Sequence, residues 1–178
     1  MANSVLVMVA LAVPVLALVL EHVGNVRISE RHHSHHDTYV VPVAFTRGLV
    51  IVMVFMGALG LLLDWLCLQG AFSVAPRMLL GFSDAFLVTC FILWALIRRY
   101  RVSTFADSMV VTPFVGPSVW VRYSEIDRLE WRGLRMESGF RSLDVWVDGK
   151  RRVRLSGIVD VEQIIMSIDR FDLLPRTL

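Results

Sequence analysis

Apolar positions dominate the first half of the chain, and they alternate with polar positions in the second half. Three apolar runs, at residues 5–20, 49–68 and 78–97, contain at most one charged residue each. Each run has about the length needed to cross ~30 Å of hydrocarbon. The pattern therefore predicts three membrane-spanning helices, placed at about 4–21, 48–69 and 77–98.

The first of these runs has features of both a membrane helix and a signal peptide. Pro14 interrupts it, which membrane helices tolerate. The residues before it include no Lys or Arg, so the basic leader of a signal peptide is missing. We therefore expect a retained helix.

Basic residues flank the predicted helices unevenly. The segment 22–47 carries three arginines, the second loop carries one, and three more follow the third helix; they are Arg27, Arg31 and Arg47, then Arg77, then Arg98, Arg99 and Arg101. The positive-inside rule then favours a plasma-membrane protein with its N-terminus outside and with residues 22–47 and 99–178 in the cytoplasm. Trp94 and Tyr100 are expected at the inner lipid interface.

Alternation with period two begins near residue 100 and predicts short antiparallel strands. Leu143, Val145 and Val147, for example, alternate with polar neighbours, and Asp148-Gly149 follows them as a hairpin signal. The pattern then changes to helical spacing, which predicts a C-terminal helix at 160–172 with Asp160 as its N-cap. The fold class is therefore an α+β membrane protein: three transmembrane helices, then a β domain at 99–178 of five to seven strands, forming a bent sheet or small barrel covered by one helix.

Three stretches of this domain carry a resemblance to a known family. Tyr100-Arg101-Val102-Ser103 opens the domain, the stretch 121–126 (VRYSEI) lies in its middle, and the helical stretch 161–168 closes it. They resemble the bacterial PH-like domain found in small membrane proteins, which implies a PH-like barrel with a C-terminal capping helix. Eukaryotic phosphoinositide-binding PH domains carry a basic first hairpin. Residues 105–109 here contain Asp107 and no Lys or Arg, which argues against that mode of binding.

Charge is concentrated in the second half of a chain that is 56% hydrophobic. Residues 98–178 hold 14 of the 18 basic and 11 of the 16 acidic residues. The excess of positive charge is too small to favour nucleic acid and suits a surface near anionic lipid. The candidate residues for binding lipid or a partner are Arg128, Arg132, Arg151, Arg152 and Arg154. Acidic residues interleave with them, so a plain solvated face is the alternative interpretation.

Two carboxylates lie inside predicted membrane helices. Asp64 and Asp84 are equidistant from position 74, which places them at one depth in a helical hairpin. Ionisable groups at such positions often mark an ion pathway, and two facing carboxylates could share a proton or bind a cation. Alternatively, each reaches the outer headgroups or pairs with Arg77.

A histidine-rich run lies in the first loop: His32, His33, His35 and His36, followed by Asp37. Neutral imidazoles and a carboxylate are ligands for zinc, nickel or copper. A simple solvated loop is the preferred interpretation, with a metal site or a pH-sensing role as alternatives.

The chain contains no nucleophile–base arrangement, phosphate loop or paired metal motif, so neither an enzyme nor a cofactor is predicted. The leading hypothesis is a non-enzymatic membrane protein whose domain binds a protein, a peptide or anionic lipid at the inner leaflet. One alternative is an ion- or metal-handling membrane protein that oligomerises and uses the two membrane carboxylates and the histidine run. Another is an accessory subunit of a larger membrane complex.

Overall fold

The computed structural model describes residues 2–29, 37–71, 74–133, 141–169 and 171–174. They divide into two compact units. The helical unit contains the first two helices and the third as far as Leu96. The β unit contains the strands, the last helix and the chain from Ile97 onward. Each unit has its own buried core.

Three long helices form the first unit: α1 (Ala2–Ser29), α2 (Val43–Leu68) and α3 (Pro76–Arg99). All three are long and apolar enough to cross a membrane, so the chain is a multi-pass membrane protein. The three predicted helices are present, but α1 continues well beyond position 21 and α2 begins before position 48. Helix α1 continues because Glu21, the first charged residue after the apolar run, is buried rather than exposed to solvent.

Glu21 joins the three helices of this unit. Its carboxylate accepts hydrogen bonds from the Thr46 hydroxyl of α2, at 2.9 Å, and from the Trp94 indole N–H of α3, at 3.2 Å. Trp94 was expected near the inner lipid interface; it is only 3% exposed, so its ring faces the other helices of this unit rather than lipid. Its indole N–H has a buried carboxylate as partner, which replaces the water or headgroup that an interfacial tryptophan needs.

Two glycines of α2 lie against different helices. A Cβ atom at Gly57 would be 2.8 Å from the Ala10 carbonyl oxygen of α1, whereas a Cβ at Gly60 would clash with Ser83 of α3. The Ser83 hydroxyl in turn donates to the Met56 carbonyl at 3.1 Å. The small-residue patch therefore serves close packing inside the unit, because small residues let helix backbones approach one another.

Seven strands and a helix form the second unit. They are β1 (Asp37–Val40), β2 (Arg101–Thr104), β3 (Ser108–Thr112), β4 (Val119–Arg122), β5 (Ile126–Arg132), β6 (Ser142–Val147), β7 (Lys150–Leu155) and α4 (Val161–Ile168). The strands make two antiparallel sheets, with the orders β1-β2-β3-β4 and β5-β6-β7. Both sheets and α4 contribute to one apolar core.

The sheets do not close into a barrel within the described part of the chain. Strands β4 and β5 are consecutive, yet they belong to different sheets and share no pairing. A 3₁₀ turn at Tyr123–Glu125 separates them, and it redirects the chain before pairing could continue. The expectation of a closed PH-like barrel is corrected to two sheets packed on a shared core.

Local signals in the second half of this unit are confirmed. Asp148 and Gly149 both have positive φ, 51° and 67°, as a two-residue hairpin turn requires. The Asp160 side chain accepts a hydrogen bond from the Gln163 N–H and caps α4. The helix ends at Ile168 rather than at 172, because Asp169 turns into the left-handed region, with φ 51°.

Tyr100 belongs to the buried core of the β unit. It is 2% exposed, stacks on Phe114 with ring centroids 4.5 Å apart, and accepts a hydrogen bond from the Ser156 N–H at 2.7 Å. Its burial raises the pKa of the phenol. The Tyr100 ring therefore packs against protein rather than against lipid headgroups.

Strand β1 is the main departure from the sequence-based expectation. Residues 22–47 were expected to form a loop, but Asp37–Val40 pairs antiparallel with β2. Val41 enters the core at 5% exposure, and the Tyr39 hydroxyl lies 2.7 Å from the Ser167 hydroxyl of α4. The β domain therefore does not begin at 99. The pairing also requires the α1–α2 segment and the C-terminal domain to lie on the same side of the membrane, as three spans allow.

We predict that residues 97–178 alone are less stable than the same chain preceded by residues 37–42 through a short Gly/Ser linker. The linked strand restores pairing to β2 and returns Val41 to the core, and full burial of one such side chain contributes ~1.5–3 kcal/mol. The thermal midpoint of the linked chain should therefore be higher by several degrees, since ~1 kcal/mol shifts a domain of this size by about 4–8 °C.

The control for this comparison is the linked chain with Val41→Asp, which places a charge in the core and should melt with the unlinked chain. Equal midpoints for the linked and unlinked chains would show that β1 is dispensable.

Candidate functional site

The outer face of the second sheet carries the arginines expected to bind a ligand. In β6, Leu143 and Val145 face the core, so Asp144 and Trp146 between and after them face outward. Asp144 lies directly opposite Glu130 on β5 and opposite Arg154 on β7. These outward positions of β5, β6 and β7 form what we call the arginine surface: Arg128, Glu130, Arg132, Asp144, Trp146, Arg151 and Arg154.

A bulge in β7 places Arg154 on this surface, next to Asp144. The two-residue turn pairs Val147 with Lys150, and regular continuation would place Arg152 opposite the core residue Val145. Instead the register shifts by one residue, so Val153 lies opposite Val145. A bulge inserts one extra residue into a strand and so exchanges its faces. The shift keeps Arg152 out of the core and places Arg154 beside Asp144.

Asp144 is the centre of the arginine surface. Its carboxylate is completely buried although it lies on the outer face of the sheet. Arg154 binds it through two nitrogens, Nε at 2.6 Å and a terminal nitrogen at 3.1 Å. Arg132 approaches it at 3.3 Å and Arg151 at 3.9 Å. These three guanidinium groups cover the carboxylate.

The charges of this cluster do not balance. The hydrogen bond from Arg154 holds the pKa of Asp144 below its ordinary value, although burial acts in the opposite direction. The same hydrogen bond raises the pKa of Arg154. One carboxylate therefore has three cations around it, of which only Arg154 is hydrogen-bonded to it, and the side chains of Arg132 and Arg151 remain 57% and 51% exposed. A guanidinium has five N–H donors, so both arginines have donors that an external anion can reach.

The remaining predicted arginines lie beside the cluster. The guanidinium of Arg128 lies over the Trp146 ring, 4.5 Å from its centroid, and 3.7 Å from the Glu130 carboxylate. Arg152 is the extra residue of the bulge and is exposed. The structure thus brings Arg132, Arg151 and Arg154 together and leaves Arg128 and Arg152 at their border.

Sequence reasoning treated Asp144 only as a charge that weakens the field of the arginines. The positions of the apolar residues in β6 and β7 contained a signal that could have revealed this role. Val145 and Val147 can share a face with Val153 and Leu155 only if one residue is bulged, and that bulge places Asp144 opposite Arg154. The sequence-based expectation did not include a bulge.

The two membrane carboxylates differ in depth and surroundings. Ser83 lies beside Gly60, and from that level Asp64 is four residues nearer the α2–α3 loop whereas Asp84 is one residue further from it, which separates the two aspartates by about 7–8 Å along the helices. The expected equal depth is therefore wrong. Asp84 is 6% exposed, and neither of its carboxylate oxygens has a hydrogen-bond partner among the described residues. Within the same residues, the alternative ion pair with Arg77 does not form for either aspartate.

His32, His33, His35 and His36 lie outside the described residues. Asp37, the last member of that predicted metal site, begins β1, where its carbonyl accepts a hydrogen bond from the Thr104 hydroxyl. Among the residues that the structure describes, no group of three or more His, Cys, Asp or Glu side chains could hold a metal ion.

Comparison of the chain with protein-family models, with curated proteins and with solved structures finds no match.

We predict that Asp144→Asn lowers the free energy of unfolding of the β unit by about 1–3 kcal/mol at pH 7, because three guanidinium groups lose their buried anionic partner. The folded-state pKa of Asp144 is depressed, so its contribution is present above the ordinary pKa of ~3.9 and is lost as the pH falls further through the folded value. Urea unfolding of the detergent-solubilised full chain at pH 7 and at pH 3 measures both effects.

The matched control is Asp148→Asn, at an exposed turn position with positive φ that Asn accepts. It should change stability little at either pH. A loss for Asp144→Asn that stays the same at both pH values would contradict the assigned role of the carboxylate.

Proposed function

We propose that this protein is a non-enzymatic, membrane-anchored binding protein, and that its arginine surface recognises phosphate groups of anionic lipids at the cytoplasmic leaflet. Its β unit would be a PH-like domain in an open form, with two sheets and a C-terminal helix. The observation that carries the proposal is the cluster of three arginines held by the buried carboxylate of Asp144.

The cluster suits anion binding because its arginines are already positioned. A free arginine side chain loses rotamer freedom when it binds, at a cost of about 0.5–1.5 kcal/mol for each immobilised side chain. Asp144 orders Arg132 and Arg151 before any ligand arrives, and their exposed donors can then approach phosphate oxygens in pairs.

Anionic lipid is favoured over other anions because the domain is joined directly to a membrane helix. The basic flanks of the helices favour a cytoplasmic location for the β unit. The cytoplasmic leaflet is negatively charged and contributes ~1 kcal/mol for each nearby Lys or Arg. A phosphorylated soluble ligand shares this chemistry, and a protein partner is the remaining alternative.

The test is a titration of the detergent-solubilised full chain with dihexanoyl phosphatidylglycerol, followed by calorimetry. The full chain is needed because β1 precedes α2. We predict saturable binding that weakens with salt, and about tenfold weaker binding for Arg132→Gln or Arg151→Gln, the equivalent of one charge-assisted hydrogen bond. Dihexanoyl phosphatidylcholine and inorganic phosphate are titrated in parallel.

Arg122→Gln is the matched control, since it removes an equally exposed guanidinium from the first sheet. It should leave the affinity unchanged. Equal binding of inorganic phosphate would assign the surface to soluble phosphate groups. An affinity for the anionic lipid that the two surface substitutions leave unaltered would reject the proposal.

A second candidate function rests on Asp84. Its carboxylate is more than nine-tenths buried and has no hydrogen-bond partner in the part of the chain that the structure describes; such groups are costly in a membrane helix and commonly belong to proton or ion pathways. Three helices are too few to enclose a pathway, so this function requires several copies or a larger complex.

Proton flux into proteoliposomes, followed with an entrapped pH indicator, tests this candidate. Wild-type protein should carry protons down an imposed pH gradient, and Asp84→Asn should reduce the initial rate at least fivefold because the amide cannot take up a proton. Glu125→Gln, an exposed carboxylate of the β unit, should retain the full rate. A wild-type rate equal to that of empty vesicles would eliminate the candidate.

A further inference from the structure

The loop between β3 and β4 contacts Arg99 and Tyr100, which belong to the same unit as the loop. Phe114 stacks on Tyr100, with ring centroids 4.5 Å apart and planes inclined by 21°. The Arg99 guanidinium donates a hydrogen bond to the Gly116 carbonyl. Arg99 is the last residue of α3 and Tyr100 follows it, so two consecutive residues at the helix end fix this loop.

An exposed apolar residue lies between these two attachment points. Val115 is 71% exposed, although its neighbours on both sides are held. Trp120, the second residue of β4, is 48% exposed and has the Arg122 guanidinium 4.8 Å from its ring centroid. Exposed apolar residues scattered over a soluble surface need no explanation. Here, however, the surrounding contacts determine where Val115 lies.

That location is close to the lipid boundary. Helix α3 is a candidate membrane span and ends with Arg98 and Arg99 in its last turn, where basic residues typically mark the edge of the hydrocarbon. The headgroup layer extends ~5–7 Å beyond that edge on each side. Val115 is adjacent to Gly116, whose carbonyl is one hydrogen bond from the Arg99 side chain, so the loop tip comes within reach of this layer.

We propose that the tip of the β3–β4 loop contacts the bilayer, with Val115 inserted at the boundary between headgroups and acyl chains. The contact uses the first sheet of the β unit and does not depend on the arginine surface of the second sheet.

Lipid is the occupant because the loop is continuous with a membrane-spanning helix. A second copy of the chain or another protein could also cover an exposed valine, but neither would have to be present at the end of α3. The bilayer surrounds that end in every copy of the protein. Lipid contact and protein contact give different results in the test below.

The test is depth-dependent fluorescence quenching of the full chain in liposomes. Cys67 and Cys90 are replaced by alanine, and Val115→Cys is labelled with the fluorophore NBD. Lipids with a spin label at carbon 5 of the acyl chain should reduce the emission at least twofold. Met166→Cys, at a residue of α4 that is 65% exposed, is the matched control and should be unaffected.

Three outcomes would overturn the proposal. Emission at 115 that is as insensitive to spin-labelled lipid as emission at 166 would mean that the loop does not touch the bilayer. Equal quenching at both positions would mean that the domain lies on the membrane through another surface. Protection of the label at 115 from aqueous iodide without quenching by lipid would assign the loop to a protein partner or a second copy.

Discussion

The pairing of β1 with β2 is the constraint on which the rest of this structure depends. A four-residue strand located between α1 and α2 completes a sheet whose other strands follow α3. The paired residues Asp37 and Thr104 are separated by both α2 and α3, so the β unit requires the closure of a loop that contains two membrane helices. Val41 and Tyr39 add core and α4 contacts to the pairing. The β unit is consequently built from two chain segments on either side of α2 and α3, and a boundary drawn at residue 99 divides a sheet.

Features that depend on local sequence were predicted correctly, whereas features that depend on contacts between distant residues were not. Helix number, strand alternation, the Asp148-Gly149 turn and the Asp160 cap are local, and the structure contains them all. Strand β1 has only four residues, three of them exposed, so no alternation marked it. Trp94 and Tyr100 were expected at the lipid interface as aromatic residues near a basic helix end, because their hydrogen-bond partners, Glu21 and Ser156, are distant in sequence and could not be foreseen. The role of Asp144 depended on a bulge, since one residue of register decides which side chains meet.

Two buried aspartates, Asp144 and Asp84, show that the energetic cost of burying a carboxylate depends on its partners. Asp144 is fully buried, and three guanidinium groups approach its carboxylate, so its desolvation is offset by hydrogen bonds and charge. Asp84 is almost as buried, but its oxygens have no hydrogen-bond partner within the described residues. An unpaired carboxylate in this position is expensive unless it is hydrated, protonated or matched by a group outside the described residues. For that reason Asp84 is a functional candidate, whereas Asp144 is an organiser of its neighbours.

The membrane anchor lowers the affinity for lipid that the two proposed surfaces of the β unit need. A peripheral protein needs enough affinity for lipid to be recruited from solution. This domain is covalently joined to a membrane helix, and such a tether gives lipid a high effective concentration at its surface. Weak contacts then suffice to set the orientation of the domain. Under the two proposals, a single exposed valine at the β3–β4 loop would suffice for that purpose, and the arginines around Asp144 would select the ligand. Preorganisation, rather than total positive charge, is therefore the property of the arginine surface that matters for its specificity.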